Sequence, residues 1–256
     1  MNVLFLGDVV GQAGCEKVRR ELPGLKKELS AGIVVANGEN SAEGNGITPY
    51  SAQHLFASGV DVLTTGNHAL RRRDVYDLLE EGNGIVRPAN FHPSAPGKGW
   101  FLHDNPAFPL AVVNLQGRVY MDPPLASPFD AADALLSGIN CPNILVDFHA
   151  EATAEMLALG HYLDGRVSAV IGTHTHVQTA DERLLPQGTA YITDAGMCGG
   201  RDSILGVEKE RAIERLRTGL PVRFQNDPGQ VELCGVLLVF GKTPGKVERI
   251  ERIRVP

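Results

Sequence analysis

VSAVIGTHTH, residues 167–176, runs from an apolar, β-branched segment into Gly172 and then into two histidines one residue apart. A short apolar run closed by glycine and polar residues reads as a strand buried on both faces. His174 and His176 would then stand at its end, on one face if the chain stays extended, or converging if it turns. Neutral imidazole is the commonest side-chain metal ligand. A single His-x-His pair becomes informative only if other strand ends bring partners to the same place.

The same layout recurs at NVLFLGD (2–8), GIVVANGEN (32–40), VDVLTTGNH (60–68), LAVVNLQG (110–117), NILVDFHAE (143–151) and TAYITDAG (189–196). CGVLLVFG (234–241) and KVERIERIRV (246–255) read as a hairpin joined by Lys242 to Gly245, the second strand alternating apolar and polar residues. Helical patterns lie between several of these runs. Thr48 is a natural N-cap for residues 48–59, with Pro49 at the first helical position and Gly59 closing the segment. Residues 16–30 carry leucines and a valine at helical spacing, and Pro23 is expected to break or kink that helix. Residues 72–82 and 151–165 are further candidates. Strands alternating with helices predict an α/β layered domain. The C-terminal part looks antiparallel, so the expected fold has mixed β-sheets, a sandwich flanked by helices, as a single domain over residues 1–256. The proline-rich stretches 88–100 and 120–130 read as loops or insertions.

Bulk properties narrow the function classes. The chain has 256 residues, 43% hydrophobic and 21% charged, with a net charge of −6. That balance disfavours a binder of long nucleic acid, whereas a small anionic substrate is compatible with local cations. Cys15, Cys141, Cys198 and Cys234 form no C-x-x-C pair. This argues against a thiolate zinc site and a disulfide framework. Reduced thiols point to the cytoplasm. MNVLFLGD lacks a basic signal-peptide n-region, and no apolar run approaches the ~20 residues of a membrane span. A symmetric homo-oligomer is the ordinary expectation.

In α/β folds ligands bind beyond the carboxyl ends of the strands. Those ends here carry Asp8, then Glu39 and Asn40, then Asn67 and His68, then His149, then His174 and His176. Each has an ordinary structural explanation: a helix cap for Asp8, turn chemistry for the asparagines, a satisfied core histidine for His149. Together they form an oxygen and imidazole set without thiolate. That set selects Mn, Fe, Co, Ni or Zn, and is too rich in histidine for Ca or Mg. Six or seven ligands exceed one open site and suit two ions sharing a carboxylate, ~3.5–4 Å apart.

GDVVG, GEN, GNH, DFHAE and GTHTH resemble, in this order, the motifs of the calcineurin-like metallophosphoesterase superfamily, over residues 7 to 176. With RPANF, NLQGR, GTHTHVQTAD and AYITDAGM they resemble one branch, the bacterial YmdB-like phosphodiesterases, associated with 2′,3′-cyclic nucleotides. The resemblance implies two divalent transition-metal ions, Fe or Mn first and Zn next. It implies Asp8 and His176 on metal one, and Asn67, His149 and His174 on metal two. Glu39 would be the bridge, and His68 would lie near the scissile phosphate. Two departures stand out. The usual D-x-H has Val10 in place of its histidine, for which Asn40 is the proposed replacement, and the bridge is Glu39 rather than Asp. The implied reaction is phosphodiester hydrolysis by a metal-bridging hydroxide, with His68 as proton donor. Alternatives are a broader phosphatase or nuclease on the same core, or a regulatory protein that binds metal and nucleotide. Arg71 to Arg73 read as a solvated helix start rather than a phosphate receiver. Residues 194–203 read as a glycine-rich loop, Asp194 as a holder of a ligand histidine, and Cys198 as a small apolar filler. Asp147 is assigned no role.

Overall fold

Along β1 (Asn2–Leu6), Val3 and Phe5 enter one apolar cluster while Leu4 and Leu6 enter another, and all four are fully buried. This period-2 division places apolar layers on both faces of the strand. The computed structural model describes residues 1–43, 45–227 and 229–256.

Two sheets carry the fold. The first runs β2 (Asp8–Val9), β12 (Met197–Gly200), β13 (Val231–Phe240), β1, β3 (Ala31–Asn37), β4 (Val62–Thr64), β5 (Ile85–Val86), with β14 (Val247–Val255) also on β13. The second runs β10 (Arg183–Leu184), β11 (Ala190–Ile192), β9 (Ala169–Thr173), β8 (Ile144–His149), β7 (Leu110–Gln116), β6 (Trp100–His103). β1, β3, β4 and β5 are mutually parallel, as are β7, β8, β9 and β11. β13 runs antiparallel between β1 and β12, and the expected hairpin with β14 is present.

Val3, Phe5, Ile33 and Val236 of the first sheet meet Val112, Leu145, Ile171 and Ile192 of the second in a shared core. The outer face of the first sheet is covered by α1 (Gly11–Glu28), α2 (Pro49–Ala57) and α3 (Tyr76–Glu81), through Val18, Leu22, Leu55 and Leu79. The outer face of the second is covered by α4 (Pro128–Leu136) and α5 (Thr153–Tyr162), through Ala132, Met156 and Leu159. The result is the expected mixed sandwich flanked by helices.

α2 starts as its sequence dictates. The Thr48 side chain accepts from Ser51 N, the Ser51 hydroxyl accepts from Thr48 N, and Pro49 follows the cap. Other local expectations are corrected. α1 runs through Pro23 without breaking. Pro23 and Arg19 both face solvent, where the Arg19 carbonyl that loses its partner is not buried in the core, while Cys15, Val18, Leu22 and Leu25 hold the buried face. The proline-rich 120–130 segment is partly helical, because Ser127 caps α4 by accepting from Asp130 N. The glycine-rich 194–203 segment contains strand β12, paired on both sides. α6 (Lys209–Thr218) falls outside the expected helices. Among the described residues no helix is long and apolar enough to cross a membrane.

Candidate metal centre

Both sets of parallel strands deliver polar side chains to one edge of the sandwich. Asp8 comes from β2, Glu39 and Asn40 follow β3, Asn67 and His68 follow β4, His149 ends β8, and His174 and His176 follow β9. All eight residues named from the sequence meet there.

His149 Nε2 lies 3.0 Å from Asn67 Oδ1, 3.1 Å from His174 Nδ1 and 3.3 Å from Glu39 Oε1. Glu39, His149 and His174 each offer a ligand atom within 4.8 Å of the others, a group that can hold a metal ion. A second half lies alongside. His176 Nε2 is 3.3 Å from Asn40 Nδ2 and 3.7 Å from Asp8 Oδ1, and Asn40 Nδ2 donates to Glu39 Oε1 at 2.9 Å. Glu39 touches both halves. His68 sits at the partly open side, donating its backbone N–H to Glu39 Oε2 at 3.0 Å. Its Nδ1 lies 3.0 Å from Glu39 Oε1 and 3.1 Å from Asn40 Oδ1.

Three observations fit this site to cations. Asp8 Oδ1 is buried without a hydrogen-bond partner, an arrangement that is costly unless something positive fills the gap. Gly66 has no side chain where one would collide: a Cβ there would meet His149 Cδ2 at 2.3 Å and Glu39 Oε2 at 2.5 Å. The donors are carboxylate, amide oxygen and imidazole, which suit a divalent transition metal.

The electrostatics agree. Burial works against the Glu39 charge, but His149 and His68 outweigh it and hold the carboxyl well below its ordinary range. Burial likewise works against charge on His149, yet Glu39 and Asp8 raise it to about 9. Burial, then the charge on His149, pushes His174 down to about 3. Burial pushes Asp8 up, opposed by His176 and His149. Without metal, a single proton on His149 thus supplies positive charge among the carboxylates, and a bound cation would displace it.

The turn carrying the histidines is strained. His174 and His176 have φ of 108° and 65°, left-handed values that non-glycine residues rarely adopt. Asp194 holds this turn: its Oδ2 accepts from Thr175 N at 2.9 Å and Thr175 Oγ1 at 2.8 Å. Asp194 therefore grips the residue between the histidines and touches neither ring, which corrects the expectation that it holds an imidazole. The rings are met instead by residues that sequence reasoning passed over. Thr173 Oγ1 lies 2.9 Å from His149 Nδ1 and donates to Asp147 Oδ1 at 2.7 Å. Glu151 Oε2 lies 3.1 Å from His174 Nε2. Strand alternation could have revealed Asp147, since it sits two residues before His149 on the same face of β8.

The remaining candidates are structural in this fold. Val10 packs its side chain toward Gly199 and Gly206. Arg72 donates to the carbonyls of Glu43 and Asn45 and so clamps the segment after Asn40, while Arg71 and Arg73 are exposed. Cys198 is fully buried, and burial raises its thiol well above the ordinary range. All four cysteines are free and buried.

The fold is a layered α/β sandwich of the metallophosphoesterase type. The NAD nucleotidase of Haemophilus influenzae shares the fold at a TM-score of 0.59 and 14% identity, over 99% of this chain and 55% of that one. The chain belongs to the YmdB-like protein family, whose model matches residues 4–253. It is 48% identical over 257 residues to the 2′,3′-cyclic-nucleotide 2′-phosphodiesterase of Bacillus subtilis (strain 168), covering 100% of this chain and 97% of that protein. It also resembles a crystal structure described as a novel phosphatase from Mycoplasma pneumoniae, with a TM-score of 0.94 and 34% identity over 100% of this chain and 93% of that one.

Proposed function

We propose that this chain is a dimetal phosphodiesterase acting on small phosphodiesters, 2′,3′-cyclic nucleotides first among them. The observation that carries this reading is that the Glu39–His149–His174 group meets, at Glu39, a neighbouring set of Asp8, Asn40 and His176 whose Asp8 oxygen is buried and unpartnered. The name of the Bacillus subtilis relative supplies the substrate class.

Asp8, Asn40 and His176 would hold one ion, Asn67, His149 and His174 the other, and Glu39 both. The oxygen and imidazole ligands favour Fe or Mn, with Zn next. Bound there, such ions supply an acidified water to attack phosphorus and positive charge for the phosphate oxygens. His68 acts from the open side. Its Nδ1 hydrogen is directed to Glu39 and Asn40, which leaves Nε2 to face the leaving ribose oxygen; the doubly protonated ring gives up its Nε2 proton there and keeps the Nδ1 hydrogen. A cleft of about 470 Å³ beside His176, lined by Arg201, Ser203 and Leu205, is nucleotide-sized and offers a cation to the substrate. The shared inter-sheet core supports one domain over residues 1–256, and four free cysteines support a reduced, cytoplasmic setting.

The test is turnover of 2′,3′-cyclic AMP by protein loaded with Mn or Fe, with products separated by chromatography and Glu39→Gln run in parallel. Conversion to a nucleoside monophosphate, lost in the variant, is expected. A variant that keeps both metals and full turnover would refute the bridging role of Glu39. The phosphatase description of the Mycoplasma relative makes phosphomonoesters the second substrate class to assay.

A further inference from the structure

His149 and His174 pack edge to face, with ring centroids 4.7 Å apart and planes at 74°. Their closest nitrogens, His149 Nε2 and His174 Nδ1, are 3.1 Å apart. Each ring is met on its far side by a different device. Behind His149, the Thr173 hydroxyl donates to Asp147 Oδ1 at 2.7 Å, and Asp147 Oδ2 accepts from Asn37 Nδ2 at 2.9 Å. An ionised carboxylate only accepts, so the hydroxyl hydrogen points to Asp147 and a Thr173 lone pair is left for His149 Nδ1 at 2.9 Å. That nitrogen must then carry the hydrogen. Behind His174, Glu151 Oε2 lies 3.1 Å from Nε2 in an ion-pair contact, and a negative oxygen this close favours the tautomer that carries its hydrogen on Nε2. Among the described residues Glu151 makes no other ion pair or side-chain hydrogen bond.

We propose that Glu151 and the Asp147–Thr173 pair are positioning residues that turn the two neighbouring histidines to opposite ring nitrogens, so that His149 presents Nε2 and His174 presents Nδ1 to the same cation. The proposal rests on the reading of these histidines as metal ligands. With the outer nitrogens of both rings engaged, the two inner nitrogens, 3.1 Å apart, are the atoms left to meet one cation between them. The two supports differ in exposure: Asp147 and Thr173 are fully buried, whereas the Glu151 side chain is 48% exposed. Glu151 can therefore be changed without opening the core.

The test uses the full chain with zinc as a diamagnetic probe. Long-range ¹H–¹⁵N spectra of the zinc-loaded, ¹⁵N-labelled protein report which nitrogen of each ring is protonated. The expected pattern is protonated Nδ1 on His149 and protonated Nε2 on His174. Zinc affinity is read in parallel by chelator competition. Glu151→Ala should weaken it about 10- to 100-fold, the usual effect of removing such a support. Glu151→Gln keeps an acceptor oxygen and should lose less. Thr173→Ser should bind as the parent does, and Thr173→Val should weaken zinc while leaving His174 unchanged. Both rings coordinating through the same nitrogen, or unchanged affinity in Glu151→Ala, would overturn the proposal. Zinc addition that shifts neither ring would instead sink the ligand reading beneath it, and this proposal with it.

Discussion

Gly66 is where the smallest change should have the largest effect on the site. Its φ lies outside the left-handed region, so alanine meets no backbone penalty there and the consequence is steric alone. A Cβ at this position would stand 2.3 Å from His149 Cδ2, 2.4 Å from His149 Nε2 and 2.5 Å from Glu39 Oε2. Ordinary contact begins near 3.4 Å, so the neighbours must yield by 3.4 − 2.3 = 1.1 Å at the tightest point. They cannot yield freely: His149 is held by Thr173 and Asn67, and Glu39 by the His68 backbone. Overpacking of this kind costs about 1–3 kcal/mol. A ligand displacement of about 1 Å costs on the order of 100-fold in rate. Gly66→Ala is therefore expected to fold, with a slightly lower midpoint in urea, and to lose about 100-fold in kcat/KM together with metal affinity. Denaturation, metal stoichiometry and turnover of 2′,3′-cyclic AMP together check this. A variant with parental metal affinity and turnover would refute the argument that the missing side chain makes room for Glu39 and His149.

Other expectations rest on the same geometry. Gly24 lies in α1 with nothing within 4 Å of its absent Cβ, so Gly24→Ala should stabilise by about 0.5–1 kcal/mol without touching activity, read as a shifted urea midpoint. The chelator-treated protein should lose stability as pH rises. The folded-state value for His149, about 9, stands above the ordinary value of 6.5; its contribution is full below 6.5 and fades as pH passes through 9. The loss is at most about 3 kcal/mol. Urea melts at pH 6 and pH 9.5, with and without bound metal, should show the drop in the metal-free form, and a His149→Gln variant should lack it. Burial raises the Cys15 thiol to about 12 and Cys234 to about 11. Alkylation at pH 8 should therefore be slow at Cys15, Cys198 and Cys234 until the chain unfolds, and rapid labelling of these three in native protein would contradict their burial.

Much of this protein is written locally in its sequence. The apolar runs became strands because β-branched residues bounded by glycine and polar groups leave few other solutions. The hairpin of β13 and β14 and the capped start of α2 also arise from residues close in the chain. The polar residues at the strand ends were legible for the same reason: a parallel strand must stop, and the residues just beyond its carboxyl end lie at the ligand-binding edge. That route reached Asp8, Glu39, Asn40, Asn67, His68, His149, His174 and His176 from their places along the chain alone.

Other features depend on partners far along the chain. Strand order is one: β13 inserts between β1 and β12, pairing Leu4 with Leu237 across the whole sequence, and no local pattern specifies that register. Pro23 is tolerated inside α1 because packing of the opposite face outweighs one lost hydrogen bond. The glycine-rich segment at 197–200 becomes a strand because β2 and β13 stand on either side to receive its hydrogen bonds. The supports of the histidine rings belong to the same class. Asp147, Thr173, Glu151 and Asp194 are ordinary polar residues in the sequence. They gain their roles only when the two sheets bring β3, β8 and β9 together, where burial makes partners obligatory for Asp147, Thr173 and Asp194 and packing sets Glu151 beside His174. The sequence by itself determined which side chains reach the edge; the tertiary structure decided what each of them touches, because hydrogen-bond partners are chosen by packing across the sandwich rather than by position along a strand.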